Sequence, residues 1–144
     1  YAGNAIKKSD PPPSPISLIF IDTDHFGQIN KMHGHVVGDE VLRELVKRVK
    51  SRLRSADIVA RYGGEEFVVV LFDTALNQAI EVAEDIRKTI AVSPIAVNEK
   101  LAVPVTLSLG VAELAPEMDV DAFISAADQK VRQAKSEGRD RVCG

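Results

Sequence analysis

Apolar and polar positions along the chain follow two periods, and the places where one gives way to the other mark the elements. "ISLIFID", Ile16 to Asp22, is a short unbroken apolar run ending in an acid, the pattern of a buried central strand. A short helix is expected after it. From Asp39 onward, Val41, Leu42, Leu45, Val46, Val49 and Leu53 recur at three- and four-residue spacing, which predicts an amphipathic helix opened by Gly38-Asp39. "DIVARY" and "EFVVVLF" read as two strands joined by a glycine turn. "TALNQAIEVAEDIRKTI" predicts a further helix with Ala79, Ile80, Ala83, Ile86 and Ile90 inward. "PVTLSLGVAEL" is another strand. A last helix is expected from about Asp119 to Ala134, with Phe123, Ile124, Ala127 and Val131 on one stripe. Hairpin strands are antiparallel and helix-bridged strands can be parallel, so the order predicts an α+β domain: a mixed, mostly antiparallel sheet flanked by helices, and not a doubly wound fold.

Composition narrows the function classes. With 144 residues, 45% hydrophobic and 27% charged, the chain suits one domain with a real core. A net charge of -3 argues against general nucleic-acid or anionic-membrane binding, so any phosphate site must be local. Cys143 is the single cysteine, which excludes a disulfide framework and suits a reducing cytoplasm. The apolar runs are too short to span a bilayer. "SDPPPSP" cannot hold a helix or a ladder, so residues 1–15 read as a connector or a truncated N-terminal segment, and 16–144 as the domain proper.

The chemistry gathers at two places. In "ARYGGEEFVVVL" the glycines of a tight turn are expected to supply positive φ, and their bare backbone leaves room for a ligand. Adjacent strand residues face opposite sides, so Glu65 and Glu66 cannot both be ordinary solvent decoration if one face is core. In "FIDTDHF", Asp22 and Asp24 share strand parity and point to one face. If Glu65 approaches them, several carboxylates share a small volume and raise one another's pKa unless a cation joins them. A hard, oxygen-liganded Mg²⁺ or Mn²⁺ that borrows ligands from substrate phosphates is the natural partner. Carboxylates at strand ends and turns are more often simply solvated. His33 and His35 are set aside as ligands, because the site is hard and oxygen-rich.

Four stretches in register, "FIDTDHFGQINKMHGHVVGDEVL", "RSADIVARYGGEEFVVVL", "VTLSLGVAEL" and "AADQKVRQAKSEGRDRV", resemble a GGDEF domain, the catalytic module of bacterial diguanylate cyclases. The resemblance implies a palm-like fold. It also implies condensation of two GTP molecules to cyclic di-GMP and two pyrophosphates, with two domains facing each other across a two-fold axis. By motif, Asp22 and Glu65 would be side-chain metal ligands and Thr23 would offer its carbonyl. Glu65 would also accept the 3′-hydroxyl proton, with Glu66 in support. Asn30 and Asp39 would read the guanine edge, Gly63 and Gly64 would let the nucleotide lie close, and Lys135 and Arg139 would reach the terminal phosphates. Arg54 and Asp57, in "RSAD", match the RxxD site at which the product inhibits. Read without the family, Asn30 caps a turn, Asp39 caps a helix, Lys135 and Arg139 end a helix, and Arg54 with Asp57 forms a surface ion pair.

Departures from the family pattern point to a second reading. Gly27 stands where a lysine usually helps neutralise phosphate, and Lys31 replaces a usual aspartate. The "LTGLxNRR" opening is absent, and Asp85 sits where a second inhibitory arginine is expected, with Arg87 nearby. A cyclic di-GMP receptor without turnover is therefore the alternative. A cyclase making a 3′,5′-cyclic mononucleotide conflicts with the guanine-reading residues. Expected partners are GTP, cyclic di-GMP, a second copy of the domain and an upstream regulatory domain, in a cytoplasmic setting that allows a membrane anchor elsewhere in a longer protein. Neither nucleic acid nor membrane contact is expected of the domain itself.

Overall fold

The computed structural model describes residues 13–144, so the connector assigned to 1–15 lies mostly outside the described residues. The chain runs β1 (Ile16–Thr23), α1 (Phe26–His33), α2 (His35–Ser51), β2 (Ile58–Arg61), β3 (Glu66–Phe72), α3 (Leu76–Ala91), β4 (Ile95–Asn98), β5 (Leu101–Val103), β6 (Leu107–Glu113), α4 (Val120–Ser136) and β7 (Arg141–Cys143). Five strands form the main sheet in the order β2-β3-β1-β6-β7, and β4 with β5 forms a separate hairpin. Every pair is antiparallel except β6 with β7. This is the α+β architecture that the pattern predicts.

The two faces of β1 divide the core. Ile19 and Ile21 point into the larger cluster beneath α1, α2 and α3, joined by Leu45, Val69, Ile86, Leu107 and Leu109. Leu18 and Phe20, one residue out of phase, point to a smaller cluster under α4 with Phe123, Ala127 and Val131. A strand buried on both faces has no polar side, which is why the run reads as continuous. Asp22, Thr23 and Asp24 then arrive at the buried end of the central strand.

Gly110 sets how closely α4 approaches. A Cβ there would strike the α4 backbone at Ala127 and Val131, and would come within 2.8 Å of the Lys130 Cβ. Without it, α4 lies directly on β6, which carries its C-terminal end to Asp22.

Two expectations are corrected, and three short strands are added. Helix α2 begins at His35, after Gly34 at φ +89°, so Gly38 and Asp39 lie inside the helix and Asp39 caps nothing. Gly63 and Gly64 are not among the positive-φ residues. A side chain at Gly63 would collide with the Glu66 carboxylate, whereas nothing lies within 4 Å of the place a Cβ would take at Gly64. Backbone handedness is therefore not what this turn needs, and close approach is found at Gly63 alone. Finally, β4, β5 and β7 have three or four residues each, too short for a periodic signal.

Candidate functional site

The acids meet because the strand register brings them together. β1 pairs antiparallel with β3, which sets Asp22 opposite Glu66. The Thr23 N–H and hydroxyl both donate to the Glu65 carbonyl, at 3.2 and 3.1 Å, and so tie the turn to the strand end. From the other side, Lys135 Nζ donates to Asp22 Oδ2 at 2.5 Å. Arg61, which the sequence reading passed over, donates to the Gly63 and Gly64 carbonyls at 3.1 and 2.6 Å and braces the turn from outside. Its position two residues ahead of the glycines was the available signal.

Electrostatics at this end is unbalanced. Burial pushes the Glu65 carboxyl above the usual range, and repulsion from Asp22 and Glu66 adds to that while Lys135 opposes it. Glu66 is raised in the same way, by burial first and then by Asp22 and Asp128. Among the described residues no group of three or more His, Cys, Asp and Glu side chains is arranged as a closed cation cage, histidines included. The donor chemistry nevertheless fits a hard divalent cation, because it supplies carboxylate oxygens that repel one another and have one ammonium between them.

Asp24 does not belong to this group. Its carboxylate accepts from Thr106 Oγ1 at 2.7 Å, Ser108 Oγ at 2.6 Å and the Asp140 N–H at 3.1 Å. Shared parity with Asp22 pointed to a further metal-side carboxylate. Instead its lone pairs are spent in joining β1 to β6 and to the turn before β7.

Asn30 meets Gly38, the residue before Asp39, across the α1–α2 corner. The Asn30 side chain packs against Gly38 so closely that no Cβ would fit there. Its Oδ1 is buried with no hydrogen-bond partner among the described residues. That acceptor is closed off by Gly38, so its unpaired state is a cost carried within the corner and not an opening to a ligand. Asp39 is exposed and lines a cavity of about 520 Å³ together with Leu42, Arg43, Lys47, Arg61 and Phe67. Gly27 has open space where a Cβ would be, and Lys31 lies one helical turn further along the same face.

Arg139 follows α4, and its guanidinium makes no hydrogen bond or ion pair among the described residues. Arg54 and Asp57 lie elsewhere, beside a cavity of about 390 Å³ that Arg52, Thr74 and Asp85 also line. The two pair with each other: Arg54 Nη2 and Nε donate to Asp57 at 2.9 and 3.3 Å, and Nη2 also donates to the Phe72 carbonyl at 2.6 Å. Asp85 is held by Arg52 through two bonds of 2.7 and 2.9 Å, a pairing the sequence did not signal. No helix among the described residues is long and apolar enough to cross a membrane.

A mostly antiparallel palm-like sheet with an acidic hairpin beside the end of its central strand is the architecture of a nucleotidyl-cyclase-like domain. Comparison with known proteins then identifies the family: residues 2–141 match the model of the diguanylate cyclase GGDEF domain, and the chain belongs to that family. It is 46% identical over 132 residues to the response regulator PleD of Caulobacter vibrioides, covering 90% of this chain and 29% of that one. The active GGEEF domain of a diguanylate cyclase from Vibrio cholerae superposes with TM-score 0.82 at 37% identity, over 90% of this chain and 82% of the other. The GGDEF domain of DgcB from Caulobacter crescentus, in complex with c-di-GMP, superposes with TM-score 0.83 at 29% identity, over 90% and 77%. The chain thus spans under a third of PleD's length.

Proposed function

We propose that this domain condenses two GTP molecules into cyclic di-GMP with release of two pyrophosphates. The observation that carries the reading is the meeting of Asp22, Glu65 and Glu66 at one strand end, with both glutamates pushed up by burial first and then by the Asp22 carboxylate. Asp22, Glu65 and the Thr23 carbonyl would hold Mg²⁺ or Mn²⁺. A bound divalent ion would stabilise the charge that develops on the transferred phosphoryl group.

The chain's own residues do the rest. Asn30 and Asp39 hold the guanine edge: an acceptor pair favours the N1–H and N2–H donors of guanine over adenine, which has an acceptor at N1. Gly64 leaves the nucleotide open backbone. Lys135 and Arg139 bind the terminal phosphates as cations. The 3′-oxygen of one GTP attacks the α-phosphorus of the other, its proton passes to Glu65, and the bond to pyrophosphate breaks. One domain binds one GTP, so two copies face each other and the step is repeated in the opposite sense. Product would bind at Arg54 and Asp57 and inhibit, and an upstream domain of a longer cytoplasmic protein would set how the copies meet.

A second reading, a cyclic di-GMP receptor without turnover, is favoured by the missing cation at Gly27. Incubating the purified chain with GTP and Mg²⁺, beside Glu65→Ala, separates the two. We expect cyclic di-GMP and pyrophosphate from the native chain, and a fall of about 10²-fold or more in the variant. Product from neither folded protein, with cyclic di-GMP still bound, would establish the receptor.

A further inference from the structure

Helix α4 runs out into a backbone that ordinary residues avoid. Gly138, Arg139 and Asp140 have φ of +123°, +62° and +46° in succession. The first belongs to a glycine helix-stop, in which the Arg139 N–H donates to the Ala134 carbonyl at 2.9 Å and the Gly138 N–H to Lys135 at 3.3 Å. That stop does not account for the next two, because L-residues in the left-handed region crowd Cβ against the following carbonyl. Such a backbone persists only where its surroundings over-determine it.

Three contacts do so here: Arg141 Nε donates to the Arg139 carbonyl at 3.1 Å, and the other two end on Asp140. Its N–H donates to Asp24 Oδ2 at 3.1 Å, which ties the turn to the end of β1. Its Oδ1 accepts from Arg87 Nη1 at 2.8 Å, which ties it to α3. Arg87 is well placed to hold. Its side chain is 19% exposed, and Nε and Nη2 are engaged by both Glu84 oxygens at 2.5 to 3.1 Å, so the fork reaches Asp140 already aligned. Arg139 has no side-chain partner of its own among the described residues, so the backbone beneath it is what aims it.

We infer that Arg87 is a positioning residue for the terminal phosphates: through Asp140 it holds the left-handed turn that presents Arg139 beside Lys135 at the end of α4 nearest Asp22. This rests on the phosphate role proposed above for Arg139 and Lys135. Without Arg87 the turn loses its only tie to α3, and Arg139 must be ordered to a larger extent at the moment of binding instead of beforehand. Guanine recognition, at the α1–α2 corner, is untouched.

The test is binding, not turnover. With Mg²⁺ present, affinity for α,β-methylene-GTP and for GMP is measured by titration calorimetry on the native chain, Arg87→Met, Arg87→Lys, Arg139→Ala and the Arg87→Met/Arg139→Ala double variant. Arg87→Met should weaken the triphosphate analogue about tenfold and GMP less than twofold. Arg87→Lys should recover part of the loss, and the double variant should bind no more weakly than Arg139→Ala alone. Equal loss for GMP and the analogue, or full additivity with Arg139→Ala, overturns the inference. If Arg139→Ala itself leaves the analogue unaffected, it is the phosphate role that has failed. Should Arg87→Met not fold, Asp140→Asn keeps the N–H to Asp24 while removing the charge, and must give the same analogue-to-GMP split.

Discussion

The two charged regions of this domain are built on opposite principles. At the end of β1, Asp22 alone bonds the Lys135 ammonium, and burial with repulsion from Asp22 drives both Glu65 and Glu66 upward. Beside α3, charges come in matched pairs: Arg54 with Asp57, and Arg52 with Asp85, with both arginines held more firmly protonated by those bonds. The first region is incomplete and stores repulsion that a cation would relieve. The second is complete, so an anionic ligand must compete with bonds already made. Acids are therefore expected to be a cost to the fold in one place and a support in the other.

The largest effect should come from the supporting side. Asp57 is 3% exposed at its side chain and accepts from the Arg54 N–H, Nε and Nη2. Asp57→Ala should cost about 2–3 kcal/mol and lower Tm by roughly 5–10 °C in a thermal melt. Glu65→Gln should do the reverse and stabilise the cation-free protein, by less than about 1 kcal/mol because the group is partly solvated. If both variants move Tm the same way, the contrast is wrong.

Next in size is the cation itself. Mg²⁺ at about ten times its Kd should stabilise the native chain by about 1.4 kcal/mol, a Tm rise of roughly 3–5 °C, and should do little for Glu65→Gln. The pH dependence has a definite sign. Glu65 and Glu66 have raised folded pKa values, so the folded state binds more protons in the window between the ordinary carboxylate range and the raised values. Without a cation, their contribution to stability falls as pH rises through that window, and Mg²⁺ should flatten the slope. Glu84, lowered by its bonds to Arg87, acts oppositely: its contribution is present above the ordinary range and is lost as pH falls through its depressed value. A melt series over acidic pH with and without Mg²⁺ reads both.

A change no larger than that of the cation sharpens the paired side. Asp85→Arg removes the acid that occupies Arg52 and adds a cation to the cavity. Cyclic di-GMP should bind about tenfold more tightly, and Arg54→Ala should erase that gain. No change in affinity would mean that this cavity is not where the product binds.

Periodicity carried most of the fold. β1 and β6 are apolar because both faces are covered, β3 buries every second residue fully and the others in part, and α3 and α4 show their buried stripes at helical spacing. The start of α2 was misread because Gly38-Asp39 has the look of a cap, whereas Gly34 had already ended α1 at positive φ. The short strands escaped because three residues hold no period.

Residue types and their order determined the α+β class, the family and the candidate acids, since each rests on local chemistry that a linear string preserves. Which acids act together was decided only by tertiary structure. Asp22 and Asp24 are two residues apart, yet one is left facing Lys135 and two glutamates while the other is saturated by Thr106, Ser108 and Asp140. Arg87 and Asp140 lie 53 residues apart and meet because α3 and the turn after α4 pack side by side. Register and packing distance choose a carboxylate's partners, and neither is written in the spacing of the residues themselves.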